Sequence, residues 1–117
     1  MSRSEFKTRT KAYALRIINV VDALPSETVS RTLGGQLLRA GTSVAYNYRA
    51  AVRGKSRADF IAKMGIVEEE CDESLFWMEL LVDSKRVDAS RLSELMKEGH
   101  EILAITVASI KTARRGK

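Results

Sequence analysis

Apolar residues recur along the chain at steps of three and four, the spacing that lines one face of a helix. From Glu5 to Leu24 they are Phe6, Tyr13, Ile17, Val20, Val21 and Leu24. Pro25 closes this segment, because proline disfavours helical geometry at the residue before it, and Ser26-Glu27-Thr28 offers short hydroxyl side chains to cap the next helix. A second stripe over about 27–53 runs through Leu33, Leu37, Ala40, Gly41, Val44, Tyr48, Ala51 and Val52. Gly34, Gly35 and Gly41 each weaken that helix by about 1 kcal/mol against alanine, so they imply close helix contact or an irregular turn, with contact the better reading for Gly41. In Arg53-Gly54-Lys55-Ser56, Gly54 suits a left-handed C-terminal position, and Ser56 with Asp59 resembles a capping box. A third helix over about 57–84 carries Phe60, Met64, Val67, Cys71, Leu75, Met78 and Val82. Lys85-Arg86-Val87 leads to Asp88, an N-cap for a fourth helix over about 89–113 with Leu92, Leu95, Met96, Gly99, Ile102, Leu103, Thr106 and Ile110. Short connections force neighbouring helices to run antiparallel, so the pattern predicts one all-α domain over 1–117, an antiparallel up-and-down four-helix bundle.

Composition supports this and narrows the setting. A chain of 117 residues holds one small core, whose stability benefits from association. One proline and seven glycines leave little material for turn-rich folds. A single cysteine, Cys71, excludes an intramolecular disulfide and fits a reducing, cytoplasmic setting. No segment approaches the roughly 18 apolar residues of a membrane span, and Met1–Lys7 has no apolar signal core, so neither secretion nor a membrane partner is expected. The net charge of +5 favours polyanionic partners.

Two surfaces are not explained by a bundle core. At 100° per residue, Ile66, Phe76, Trp77 and Leu80 fall away from the third helix's core stripe, among Glu69, Glu70 and Glu73. Several large apolar groups on a second face signal contact with another copy of the chain, the alternative being a wider core that covers them. Charge is segregated too. Residues 64–83 carry seven carboxylates and no Lys or Arg, while residues 31–63 carry seven Lys or Arg against Asp59 alone. Arg31, Arg39, Arg49 and Arg53 project opposite the second helix's stripe with Tyr46 between them, a mixture that grips phosphates and stacks on a base. The competing reading pairs these arginines with the acidic helix of the same or a neighbouring subunit. Basic residues near both chain ends, from Arg3 to Lys11 and from Lys111 to Lys117, extend the positive surface in the first reading.

Catalytic patterns fail on inspection. Gly54-Lys55-Ser56 ends like a phosphate-binding loop, but position 49 is arginine where the first glycine belongs, and a helix rather than a strand precedes it. A di-iron bundle needs two Glu-x-x-His pairs, whereas the single histidine, His100, has Lys97 in the glutamate position. Neighbouring carboxylates on the third helix point in different directions, and Ser43, Ser74 and Cys71 have no recognisable base. No metal, cofactor or catalytic residue is assigned, and the chain is expected not to be an enzyme. Asn47, at the border of the core stripe, reads as a structural group.

The runs Arg39-Ala40-Gly41-Thr42-Ser43-Val44-Ala45-Tyr46-Asn47-Tyr48-Arg49-Ala50-Ala51, Ser56-Arg57-Ala58-Asp59-Phe60-Ile61-Ala62-Lys63 and Ile66 to Leu81 closely resemble the bacterial four-helix-bundle family named for proteins encoded in intervening sequences of 23S ribosomal RNA genes. The resemblance implies an up-and-down bundle assembled as a ring-like homopentamer. It also implies kinship with accessory proteins of diversity-generating retroelements, whose basic barrels bind nucleic acid and a reverse transcriptase. The chain reads Asn47-Tyr48-Arg49-Ala50-Ala51 where the family usually has Asn-x-x-Glu-Gly. Residues and resemblance together yield one expectation, a homo-oligomer joined through Ile66, Glu69, Glu70, Glu73, Trp77 and Leu80. It presents Arg31, Arg39, Tyr46, Arg49 and Arg53 to RNA, DNA or a nucleoprotein. The alternative is a protein-binding scaffold whose arginines are used in inter-subunit salt bridges.

Overall fold

Four helices form where the period places them, in a computed structural model that describes residues 1–116. They are α1 (Arg3–Asp22), α2 (Thr28–Val52), α3 (Arg57–Asp83) and α4 (Ala89–Arg115). The ends differ from the apolar pattern because caps decide them. α1 begins before Glu5: the Ser2 hydroxyl accepts from the Glu5 N–H at 3.0 Å, and the Glu5 carboxylate accepts from the Ser2 N–H at 2.8 Å. It stops at Asp22, and the Leu24 N–H turns back to the Val21 carbonyl. Neither Ser26 nor Thr28 caps α2. Glu27 does, its carboxylate accepting from the Ser30 N–H at 2.7 Å. At α3 the Ser56 hydroxyl accepts from the Asp59 N–H at 3.0 Å, but Asp59 returns its bond to the Lys55 N–H rather than to Ser56. Asp88 is the N-cap of α4, without a side-chain capping bond.

Gly54 is not left-handed, and no described glycine has a positive φ. Its missing side chain supplies room instead, since a Cβ there would lie 2.9 Å from both the Ala51 carbonyl oxygen and Asp59 Oδ2. The left-handed residue is Lys85, with φ 68°. The Lys85 N–H donates to the Val82 carbonyl at 3.0 Å and the Arg86 N–H to the Leu81 carbonyl at 2.9 Å, the two bonds of a Schellman motif.

The core follows the predicted stripes through Tyr13, Ile17, Leu37, Val44, Met64, Val67, Cys71, Met78 and Ile102, all inaccessible. Leu81 joins them from outside the predicted α3 stripe, and Val20, Val21, Leu24, Leu33, Val52, Phe60 and Val82 are only partly covered because they stand near the bundle's ends. Gly41 does what close packing requires, since a Cβ there would overlap the Ile17 side chain. Gly99 makes similar room for Tyr13, whose hydroxyl would be 2.7 Å from the added carbon. That hydroxyl reaches Ser74 Oγ at 2.7 Å across the core diagonal, and Ser74 donates to the Cys71 carbonyl at 2.7 Å.

Each helix packs on two neighbours, α1 and α3 both lying against α2 and α4, in a body of 50 × 21 × 20 Å. The α1–α4 seam is the thinnest, and Arg9 bridges it to Glu98 at 2.7 Å and Glu101 at 2.5 Å. Antiparallel packing gathers the starts of α1 and α3 and the ends of α2 and α4 at one pole. There the Arg3 guanidinium lies 4.6 Å from the Phe60 ring centroid, Tyr48 donates to the Arg3 carbonyl, and Arg57 donates to the Gly116 carbonyl. At the other pole Arg86 meets Glu27.

Candidate assembly and nucleic-acid surfaces

The outer face of α3 is divided between core and solvent. Ile66 and Phe76 are 40% and 49% exposed, large values for such apolar side chains, whereas Trp77 and Leu80 are half-buried. Trp77 packs partly on the core, meets Phe76 edge-on at 5.1 Å, and donates its indole N–H to Glu73 Oε2 at 2.9 Å. The bundle therefore covers part of the predicted second face and leaves Ile66 and Phe76 largely open to solvent. Glu69 is exposed beside them, with Glu70 and Glu73 partly covered.

Glu70 and Glu73 are turned toward α2 by Arg39, whose guanidinium forks between them, 3.0 Å from Glu70 Oε2 and in contact with Glu73. The Trp77 indole and then Arg39 hold the Glu73 carboxyl below the usual carboxylate range, and the same carboxylates raise the Arg39 guanidinium. Arg39 is thus held within its own chain. Arg31, Arg49 and Arg53 are exposed and make no ion pair among the described residues, and Tyr46 is 68% exposed. Arg31 and Arg53 stand 22 positions apart, which on a helix is roughly 33 Å. The arginines predicted as one site consequently occupy separate places: Arg31 near the Glu27 pole, Arg39 at the waist, and Arg49 and Arg53 toward the Arg3 pole.

A further apolar surface escaped the sequence reading. Leu15 and Ile18 on α1 are 53% and 40% exposed, and Leu38 on α2 is 36% exposed. The signal was available, since Leu15 and Ile18 lie about 100° or more around the helix from Ile17. α1 and α3 are diagonal partners across the core, so this patch and the α3 face look outward in different directions.

Cys71 and Asn47 make contacts inside the bundle. Burial pushes the Cys71 thiol up to about 12, and the thiol donates to the Gly99 carbonyl at 3.3 Å. A general acid on α3 would need a raised carboxyl, and Glu73 moves the other way. Asn47 donates to the Ser43 carbonyl at 2.9 Å within its own helix. Among the described residues no three of His, Cys, Asp and Glu gather as metal ligands, and His100 is exposed. No described helix is long and apolar enough to cross a membrane.

Comparison with known proteins is consistent with this geometry. The family described as 23S rRNA-intervening sequence protein matches residues 3–108. A crystal structure of a protein of unknown function from the S23 ribosomal protein family of Bacteroides thetaiotaomicron VPI-5482 is 32% identical. Its alignment covers 96% of this chain and 100% of that one, with a TM-score of 0.89. No curated protein matches the chain.

Proposed function

Because the chain belongs to the 23S rRNA-intervening sequence protein family, and because its α3 carries apolar surface that one bundle leaves open, we propose that it is a non-enzymatic bundle that assembles with copies of itself and presents basic surface to nucleic acid or a nucleoprotein. Exposed Ile66 and Phe76, the latter against a Trp77 that Glu73 holds in place, are the observation that carries the assembly. The patch of Leu15, Ile18 and Leu38 supports a particular geometry. Two unlike apolar patches on different sides suit head-to-tail association, which closes into a ring when the rotation permits. The ring size proposed is the homopentamer that the family resemblance implies.

Light scattering tests the assembly. The wild type should have the mass of an oligomer, and Ile66→Glu or Trp77→Glu should reduce it to a monomer with helical circular dichroism retained. Ile66→Glu is the cleaner variant, because Trp77 also packs on the core. A monomeric wild type, or an oligomer unchanged by both substitutions, refutes the interface. A second reading, a scaffold with no nucleic-acid role, is favoured by the capture of Arg39 by Glu70 and Glu73. Affinity for RNA or DNA that falls steeply with salt excludes this second reading, because counterion release requires phosphate contacts.

A further inference from the structure

Sorting the charges by their height along the bundle separates them more sharply than sorting them by helix. The pole formed by residues 1–11, 46–63 and 108–116 carries twelve Lys or Arg against Glu5 and Asp59. The opposite pole, residues 19–38 and 76–97, has five cations and six carboxylates. Between them, residues 12–18, 39–45, 64–75 and 98–107 set Arg16 and Arg39 against seven carboxylates, Arg16 being beside the Ile17 that packs on Gly41. The modest overall charge of +5 conceals a strongly basic end above an acidic waist.

That basic end is largely free. Lys63 is paired with Asp59 at 2.8 Å, and Arg9 leans to the waist carboxylates Glu98 and Glu101. Arg3, Arg53, Lys55, Arg57, Arg114 and Arg115 have no carboxylate partner among the described residues. Arg3, Lys55, Arg57 and Phe60 share an open groove with Thr112 and Ala113 of α4. Arg3 is positioned there by the Phe60 ring and Arg57 by the Gly116 carbonyl, so both cations are held without being neutralised. On the α2 flank, Tyr46 precedes Arg49 by one turn and Arg53 by two, which puts all three on one side of that helix.

We infer that this pole binds single-stranded nucleic acid, its phosphates held by Arg53, Lys55, Arg57, Arg114 and Arg115 and a base stacked on Tyr46. The inference rests on the nucleic-acid reading above and relocates it, from a stripe along α2 to the end where all four helices meet. Free cations without nearby carboxylates attract a polyanion. The exposed ring favours a single strand, because a base inside a duplex has no free face to stack.

The test is fluorescence anisotropy with a labelled oligouridylate of about 20 nucleotides and an RNA duplex of equal length, from about 50 to 300 mM salt, alongside light scattering. The single strand should bind more tightly than the duplex, with a log–log salt slope of about −3 or steeper, as expected for roughly five phosphates. Arg53→Glu combined with Arg114→Glu and Arg115→Glu should weaken binding at least about tenfold. Arg31→Glu, at the far pole, should leave it within about twofold. Tyr46→Ala should cost about fivefold or more on the single strand and nothing on the duplex. Glutamine at the three arginine positions repeats the test should the glutamate set unfold. Wild-type binding that survives all the pole substitutions overturns the location and leaves the broader nucleic-acid reading standing. No binding of any nucleic acid at the lowest salt overturns both. A pole variant that changes the oligomer's mass shows that the pole meets the acidic waist of another copy, and overturns the inference.

Discussion

Lys85 occupies a backbone conformation that suits it poorly, and replacing it should stabilise the protein. Its φ of 68° lies in the left-handed region, where the Cβ of an L-residue crowds the following carbonyl at about 1–2 kcal/mol, a cost absent in glycine. Two Schellman bonds from Lys85 and Arg86 hold it there and close the end of α3, so the conformation is imposed rather than incidental. Glycine gives back about 0.5–1 kcal/mol through the greater freedom of the unfolded chain. Removing a cation next to a helix C-terminus costs a further few tenths of a kcal/mol, roughly. Lys85→Ala supplies the control, since it loses the same charge but keeps the Cβ. Lys85→Gly should therefore exceed Lys85→Ala by about 1 kcal/mol, or roughly 4 °C in Tm for a domain of this size. Thermal melts followed by circular dichroism at one fixed protein concentration measure the difference. A glycine variant no more stable than the alanine variant would refute the strain argument.

Packing and charge supply two more expected outcomes. Gly35→Ala, with open space at its Cβ position, should gain about 1 kcal/mol of helix propensity, whereas Gly41→Ala meets Ile17 and should fall below it by about 1–3 kcal/mol; equal urea midpoints for the two variants would sink the close-contact reading. Arg9 holds the Glu98 carboxyl below its ordinary value of 4.5. The resulting stability is present above that value and is lost as pH falls through the lower folded one. The advantage of wild type over Glu98→Gln should be about 1 kcal/mol at pH near 6 and should vanish as the medium is acidified, and a gap independent of pH contradicts it.

The helices and most of the core were legible because burial on one side leaves a period in the sequence, and Pro25 and the Gly54 turn marked two of the breaks. Ends were less legible: Ser2 and Glu27 act through hydrogen bonds that leave no apolar trace, and a left-handed lysine at position 85 runs against the usual preference for glycine. The surfaces divide the same way. That Ile66, Phe76, Trp77 and Leu80 leave the core stripe could be counted at 100° per residue, but how far Trp77 and Leu80 tuck under the neighbouring helix depends on packing. The arginines of α2 were legible as a charged side and not as a site, because distance along a helix separates Arg31 from Arg53 while folding brings Arg53 level with Arg3 and Arg114. For Arg39 the pairing with the acidic helix was legible as one of two readings, and only the facing of two helices decides that Glu70 and Glu73 of the same chain take it.

The Tyr13–Ser74 contact works as a notch between two helices that face each other diagonally across the core. Sliding α1 by one turn, about 5.4 Å, would separate the two hydroxyls in a medium that offers no water, and each such loss costs roughly 1–3 kcal/mol. Together with Ile17 against Gly41, Tyr13 against Gly99 and the Arg9 bridge, this pair of oxygen atoms fixes the height of α1, and with it the level at which its cations arrive. Substitutions among the aliphatic residues can alter stability gradually, whereas a change at this notch removes one of the few contacts that tell one turn of α1 from the next.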